Sequence, residues 1–197
     1  KWFAVDITSA WRMPQRAGRA IEAVIEGAVD EAVRNEAAFR LARIYFQKNQ
    51  LDDAQNALGR IQGAVPAEIR DDVEFLRANI DMAKGRPGDA VKVLQQVRSD
   101  ESLSGFVAYN LGIALFRDGR TKEAIEQLDK AGRLQAGDGG GLAIRDKSNL
   151  VLGSMLFESG DFERAKQSLD RVRLDGLFSN QALLRAGWAE ATAQQYD

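Results

Sequence analysis

The chain has 197 residues, 45% of them hydrophobic and 28% charged, with 27 basic against 29 acidic side chains and neither cysteine nor histidine. Such a composition supports a real core and excludes disorder, while a formal charge of −2 without long runs of one sign offers no phosphate-tracking face. The missing thiols and imidazoles remove disulfides, thiolate nucleophiles, the commonest general base and the commonest metal ligands, so a non-enzymatic protein without metal or cofactor is expected.

No apolar run approaches the ~18 to 20 residues of a membrane span. No series of charged, apolar and small residues resembles a signal peptide. In chain order, the first predicted element is a weak helix pair, "WFAVDITSAW" (2–11) and "PQRAGRAIEAV" (14–24), with Pro14 between its halves. Four stronger pairs follow: "EAAFRLARIYFQKNQLDDAQNALGRI" (36–61), "DVEFLRANIDMAKGRPGDAVKVLQQV" (72–97), "FVAYNLGIALFRDGRTKEAIEQLDKA" (106–131) and "KSNLVLGSMLFESGDFERAKQSLDRV" (147–172). In each, apolar residues recur at intervals of three and four on both sides of a chain breaker, the pattern of two amphipathic helices and a tight turn. A last helix is predicted over 181–193, and no segment carries a strand pattern.

The four pairs are copies of one unit. A small residue, Ala42, Ala78, Gly112 or Gly153, is followed twelve places later by Ala54, Ala90, Ala124 or Ala165, and four places beyond by Leu58, Leu94, Leu128 or Leu169. Where helices cross at ~8 to 10 Å, two bulky side chains cannot both fit, so these small residues mark the crossing. Leu41, Tyr45, Leu58 and Ile61 in one copy, and Leu111, Leu115, Ile125 and Leu128 in another, are predicted to fill the core. Asn49, Gly85, Gly119 and Gly160 hold the turn place, where a helix ends most readily in a left-handed residue. Pro87 suits a first helical position, and Pro66 closes a copy. Stepping back from Ala54 by one period lands on Ala20, and stepping on from Gly153 lands on Gly187.

The Tyr-Asn-Leu-Gly run at 109–112, the turn Gly119, the Glu-Ala-Ile of 123–125 and Pro66 resemble the tetratricopeptide repeat (TPR) family. The resemblance covers almost the whole chain, with Arg77 where the family usually has leucine and Pro87 and Gly88 in place of its aromatic and polar pair. It implies an all-α fold, a right-handed superhelical solenoid of helix-turn-helix hairpins. One array over 1–197 is expected, with repeats near 1–34 (degenerate), 35–68, 71–104, 105–138, 146–179 and a partial 180–197. "DRVRLDGLFSNQALLRAGWAEA" is similar to long bacterial TPR proteins, which implies a segment of a longer array and a bacterial source, with periplasm ahead of cytoplasm. Leu183, Leu184 and Trp188 of the last helix should then lean on the fourth repeat or be covered by another molecule.

Two features invite chemistry and are better read as structure. "LQAGDGGGLAIRD" (134–146) interrupts the period as a flexible connector; a phosphate loop needs a preceding strand and a correctly spaced Lys-Ser pair, and Lys147 and Ser148 lie too far on. The acid pairs Asp52 and Asp53, Asp71 and Asp72, and Asp100 and Glu101 sit near predicted helix starts, where negative charge complements free amides and the dipole.

In TPR proteins the first helices of successive repeats line a groove that receives a peptide or helix. The same register here implies a partner-binding face of Phe39, Arg43, Phe46, Phe75, Asn79, Met82, Phe106, Tyr109, Asn110, Ile113, Phe116, Arg117, Lys147, Leu150 and Phe157. The expected partner is a protein or peptide, without nucleic acid, and the alternative is a homo-oligomeric scaffold assembled through repeat ends or groove. Some TPR domains clamp a partner's C-terminal carboxylate. Asn79, Asn110 and Lys147 match three of the clamp places, whereas Phe75 and Val151 stand where two of its cations belong, so an apolar groove anchored by Arg43 or Arg117 is the expected form.

Overall fold

The computed structural model describes residues 14–27, 29–97, 101–135 and 139–196, and among them it contains ten α-helices and no strand. They are α1 (Pro14–Glu26), α2 (Glu31–Gln47), α3 (Leu51–Leu58), α4 (Ala67–Ala83), α5 (Pro87–Gln96), α6 (Glu101–Arg117), α7 (Thr121–Arg133), α8 (Gly139–Glu158), α9 (Phe162–Leu169) and α10 (Ser179–Tyr196). The chain forms two compact units, Lys1–Arg98 and Ser99–Asp197, so α1 to α5 belong to the first and α6 to α10 to the second. The stretch 2–11 lies outside the described residues.

The four turns are made alike. Asn49, Gly85, Gly119 and Gly160 have φ of 59°, 73°, 81° and 82°, the left-handed region where a Cβ is penalised. The next amide donates back to the carbonyl five residues earlier: Gln50 to Tyr45 and Arg120 to Leu115, both at 2.9 Å, with Arg86 to Asp81 and Asp161 to Leu156 alongside. That bond satisfies a carbonyl the helix end would leave free. Pro87 opens α5, where its missing amide costs nothing.

The crossings are as tight as the spacing requires. A Cβ on Gly112 would meet Leu128 Cγ at 2.8 Å, and one on Gly153 would meet Leu169 Cγ at 2.5 Å and the Ala165 carbonyl oxygen at 3.1 Å. In the first unit Leu41, Ala42, Ala54, Ala57, Leu58, Val73, Leu76 and Ile80 form the core, with Tyr45 and Ile61 packed against it. Ile21 and Ile25 of α1 also lean on that core, and the Tyr45 hydroxyl donates to Glu22 Oε1 at 3.0 Å. In the second unit Leu111, Leu115 and Leu128 are buried as expected, while Ile125 is half-buried.

Two expectations need correction, and one arm of a third. The connector of 134–146 is helical from Gly139 on, since α8 begins there; Ile144 is buried and lies where a Cβ on Gly105 would touch it, so packing outweighs the poor helix propensity of three glycines. Asp71 and Asp72 lie in the second turn of α4 rather than at its start, although Asp52 and Asp53 do open α3. On α10, Leu183, Leu184 and Trp188 are 56%, 65% and 63% exposed and do not lean on the fourth repeat, because Ala182, Ala186 and Ala189 form the face that packs inward; that leaves cover by another molecule as the other arm of the expectation. Asp100 lies outside the described residues.

Candidate functional site

The first-helix faces lie at places three before, one after and four after each small residue. In the first unit these are Phe39, Arg43 and Phe46 on α2 and Phe75, Asn79 and Met82 on α4. Phe39 is only 3% exposed: it belongs to the core beside Val73 and Leu76, and Phe46 packs against the same cluster. The Asn79 amide donates to the Phe75 carbonyl of its own helix at 2.8 Å. Arg43 stands close to Asp72, whose carboxyl is pushed above the ordinary range by burial, with Arg43 opposing and Asp71 adding to the rise. The open part of this face is therefore Phe75 and Met82, half-buried, beside charges that offset one another.

The second unit offers a broader face. Phe106, Tyr109, Asn110, Ile113, Phe116 and Arg117 lie on α6, and Lys147, Leu150, Ser154 and Phe157 on α8. Leu150 is buried against Leu169, Val172, Ala182 and Ala186 and leaves the face. Phe157 meets Phe162 edge to face, with ring centroids 5.2 Å apart. The Lys147 ammonium sits 5.2 Å from the centroid of the Tyr109 ring, a cation–π contact that joins α6 to α8. The Asn110 amide donates to the Phe106 carbonyl at 2.8 Å, as Asn79 does in its helix. Both asparagines expected in a clamp thus spend a donor on their own backbone, and they lie in different units.

The same register extends to α10, where Leu184 and Trp188 occupy the places of Leu150 and Ser154. Arg185 donates to the Ser154 hydroxyl, which sets α10 beside α8 at this level. Leu184 and Trp188 are thus face residues, although their sequence pattern points to packing; their spacing from Gly187 is the signal that places them. Arg117, Lys147 and Arg185 outnumber Glu158 here, so the second face is apolar with a net positive margin.

Two polar arrangements carry no clear mark in the sequence. Seven places before the small residue, Asn35 and Asp146 are fully buried and reach the loop after the second helix of their repeats. Asn35 donates to the Gln62 carbonyl at 2.8 Å and accepts from the Gln62 amide at 3.1 Å; Asp146 accepts from Arg173 Nε at 2.8 Å. A cleft of about 320 Å³ between α3 and α4 is lined by Gln55, Leu58, Gly59, Arg77, Ile80 and Asp81. Arg77 and Asp81 stand there in the register places of leucines on α6 and α8, and Arg86 donates twice to Asp81 Oδ1, at 3.2 and 2.5 Å. Among the described residues no group of three His, Cys, Asp or Glu could hold a metal, and no helix is long and apolar enough to cross a membrane.

Tetratricopeptide repeat models match residues 75–139 and 150–197 in one case and 36–67 in another, together more than half of the sequence. The chain belongs to the tetratricopeptide repeat family. A search of curated proteins finds no match. Among solved structures this TPR chain is similar to BtubC (BKLC) from P. vanneervenii, with a TM-score of 0.68, 14% identity, and coverage of 92% of this chain and 82% of that one. It is also similar to YrrB, described as a TPR protein with an unusual peptide-binding site, with a TM-score of 0.59, 18% identity, and coverage of 92% and 86%. At these identities the likeness shows the fold, the all-helical solenoid of TPR hairpins.

Proposed function

We propose that the protein is a non-enzymatic scaffold that binds a partner peptide or helix on its first-helix faces, chiefly the face made by α6, α8 and α10. Membership of the TPR family supports a protein partner, and the peptide-binding site of the YrrB protein is a parallel on the same fold. The observation that carries the reading is the row of apolar side chains at matched register places, half-buried Ile113 and exposed Phe116 on α6 and exposed Leu184 and Trp188 on α10, around the Lys147–Tyr109 pair. Large exposed apolar side chains ringed by cations mark a binding surface better than a packing defect. An apolar segment with flanking acidic residues fits them. A carboxylate clamp fits less well, because Asn79 and Asn110 are engaged within their helices and Phe75 and Val151 supply no charge.

The test is selection of binding peptides from a display library on the whole chain, followed by titration of the selected peptides into wild type, Tyr109→Ala and Trp188→Ala. Each substitution is expected to weaken binding at least about tenfold, the loss of ~1.4 kcal/mol typical of an aromatic anchor. Peptides that bind both variants as they bind wild type would place the site elsewhere.

A further inference from the structure

The cleft between α3 and α4 carries polar side chains at places where the second unit buries apolar ones. On α8 the places one before, two after and three after the small residue hold Leu152, Met155 and Leu156, all buried. On α4 the same places hold Arg77, Ile80 and Asp81, which with Gln55, Leu58 and Gly59 line about 320 Å³ of open space. That volume lies at the lower end of small-ligand sites, which run from ~300 to 1,000 Å³. The cleft is apolar at Leu58 and Ile80, both buried members of the first unit's core. Its polar groups are fixed by neighbours. Lys84 Nζ donates to Gln55 Oε1 at 2.6 Å and Arg86 to the same oxygen at 3.3 Å, while Arg86 also holds Asp81 Oδ1.

Each polar group keeps one side open. With Gln55 Oε1 taken by two cations, the amide nitrogen at the other end of that group carries donors that reach no acceptor among the described residues. Asp81 Oδ2 accepts from no described residue either, since both Arg86 bonds go to Oδ1. Among the described residues Arg77 makes no hydrogen bond; its ion pair with Glu74 Oε2 is 3.8 Å long, and its side chain is 47% exposed. A guanidinium and an amide that donate, a carboxylate oxygen that accepts and an aliphatic surface between helices call for a carboxylate, an ammonium and an apolar body on one ligand. We propose that the cleft binds a free α-amino acid with an apolar side chain, its carboxylate on Arg77 and Gln55, its ammonium on Asp81 Oδ2 and its side chain over Leu58 and Ile80. Arg77 and Asp81 are four residues apart on one helix, with Cβ atoms ~5 to 6 Å from each other, so a single zwitterion can meet both. A simple anion would face Asp81 unpaired, and a simple cation would face Arg77. The site uses none of the residues proposed for peptide binding, and its failure would leave that reading untouched.

Amide NMR of the whole chain, titrated separately with L-leucine, L-methionine and L-phenylalanine, tests it. At least one of them is expected to shift the amide signals of Gly59, Arg77 and Asp81 saturably, with a dissociation constant of about 1 mM or tighter. 4-Methylpentanoate and 3-methylbutylamine keep the leucine side chain but lack its ammonium and its carboxylate respectively. Each is expected to bind at least about tenfold more weakly than the amino acid, because one charged contact is gone. Arg77→Leu places in α4 the side chain that α6 and α8 carry there, and Asp81→Asn keeps an acceptor for Arg86 while replacing the open oxygen by a donor. Both should remain folded by circular dichroism and lose at least about tenfold in amino-acid affinity. Should either fail to fold, Gln55→Leu, at an exposed position, removes a donor to the carboxylate and serves in its place. Absence of a saturable shift with all three amino acids overturns the proposal. Equal affinity for 4-methylpentanoate or for 3-methylbutylamine would make the cleft a site for a simple anion or cation, and also overturns it. Binding that shifts other amides instead, or that ignores the substitutions, runs through another surface and overturns it as well.

Discussion

Gly153 and Gly187 occupy the same register place and differ only in what stands opposite. Leu169 and the Ala165 carbonyl fill the space above Gly153, whereas the space above Gly187 is open. Gly153→Val is therefore expected to cost about 1 to 3 kcal/mol through overpacking. Gly187→Ala, compared at low protein concentration, should stabilise by about 0.5 to 1 kcal/mol, because alanine loses less backbone freedom in a helix. Urea unfolding of the two variants checks the pair, and equal effects at both positions would mean that register does not set packing. These crossings were legible in the sequence because a missing side chain leaves a mark at a fixed interval. Exposure was less legible. Phe39 and Leu150 read as face residues and are buried, since Val73 and Leu76 of one later helix and Ala182 and Ala186 of another decide what covers them.

Elements are tied together here by buried polar groups as well as by leucines. Asn35 on α2 serves the Gln62 amide and carbonyl and also donates to the Ala64 carbonyl at 3.3 Å, which pins the chain leaving α3. Asn35→Leu keeps a similar volume but strands those buried backbone groups, so a loss of about 1 to 3 kcal/mol is expected. Amide exchange at Gln62 should accelerate in the variant, a readout that lost packing elsewhere would not give. The device was hidden because its residue type varies: Asn35, Asp71, Gly105, Asp146 and Asn180 share the register place, and the glycine among them breaks any motif. The long α8 was hidden for a related reason. Its opening glycines read as a loop by propensity, and only the contact of Ile144 across the unit makes them helical.

At the scale of the whole molecule, the repeat period fixed hairpins, turns and core together, while charge was nearly silent because acids and bases alternate. The structure sorts those charges. At the end of α7 Asp129 accepts from Arg133 at 2.7 Å and from Arg171, after α9, at 2.9 Å. Burial alone would raise its carboxyl, but these two hydrogen bonds and the accompanying charges hold it below the ordinary value. Asp52, bonded to Lys84, and Glu123, bonded to Arg120, shift in the same direction at fully exposed sites, where screening leaves them little influence on stability. Asp72 shifts the other way, because burial there outweighs Arg43.

Linkage turns these directions into opposite pH profiles. A carboxyl held low in the fold adds stability above its unfolded value of about 3.9, and that stability is lost as pH falls through the folded value. Asp129→Asn should therefore destabilise at pH 7 by up to about 1 kcal/mol, the scale of a partly exposed ion pair. Its difference from wild type should shrink as pH falls below the unfolded value and the wild-type carboxyl takes up its proton. A carboxyl held high favours the fold in its neutral form, so its contribution is present below the unfolded value and disappears as pH rises through the folded one. Asp72→Asn removes that burden and should stabilise the protein at pH 7, with a gain that shrinks on acidification. Urea midpoints for wild type and both variants between pH 3 and pH 7 decide the matter. If the two substitutions shift the midpoint in the same direction at pH 7, the opposing environments assigned to Asp129 and Asp72 are wrong; if they shift it oppositely and converge in acid, α7 is held to the end of α9 by a charge that α4 could not accommodate.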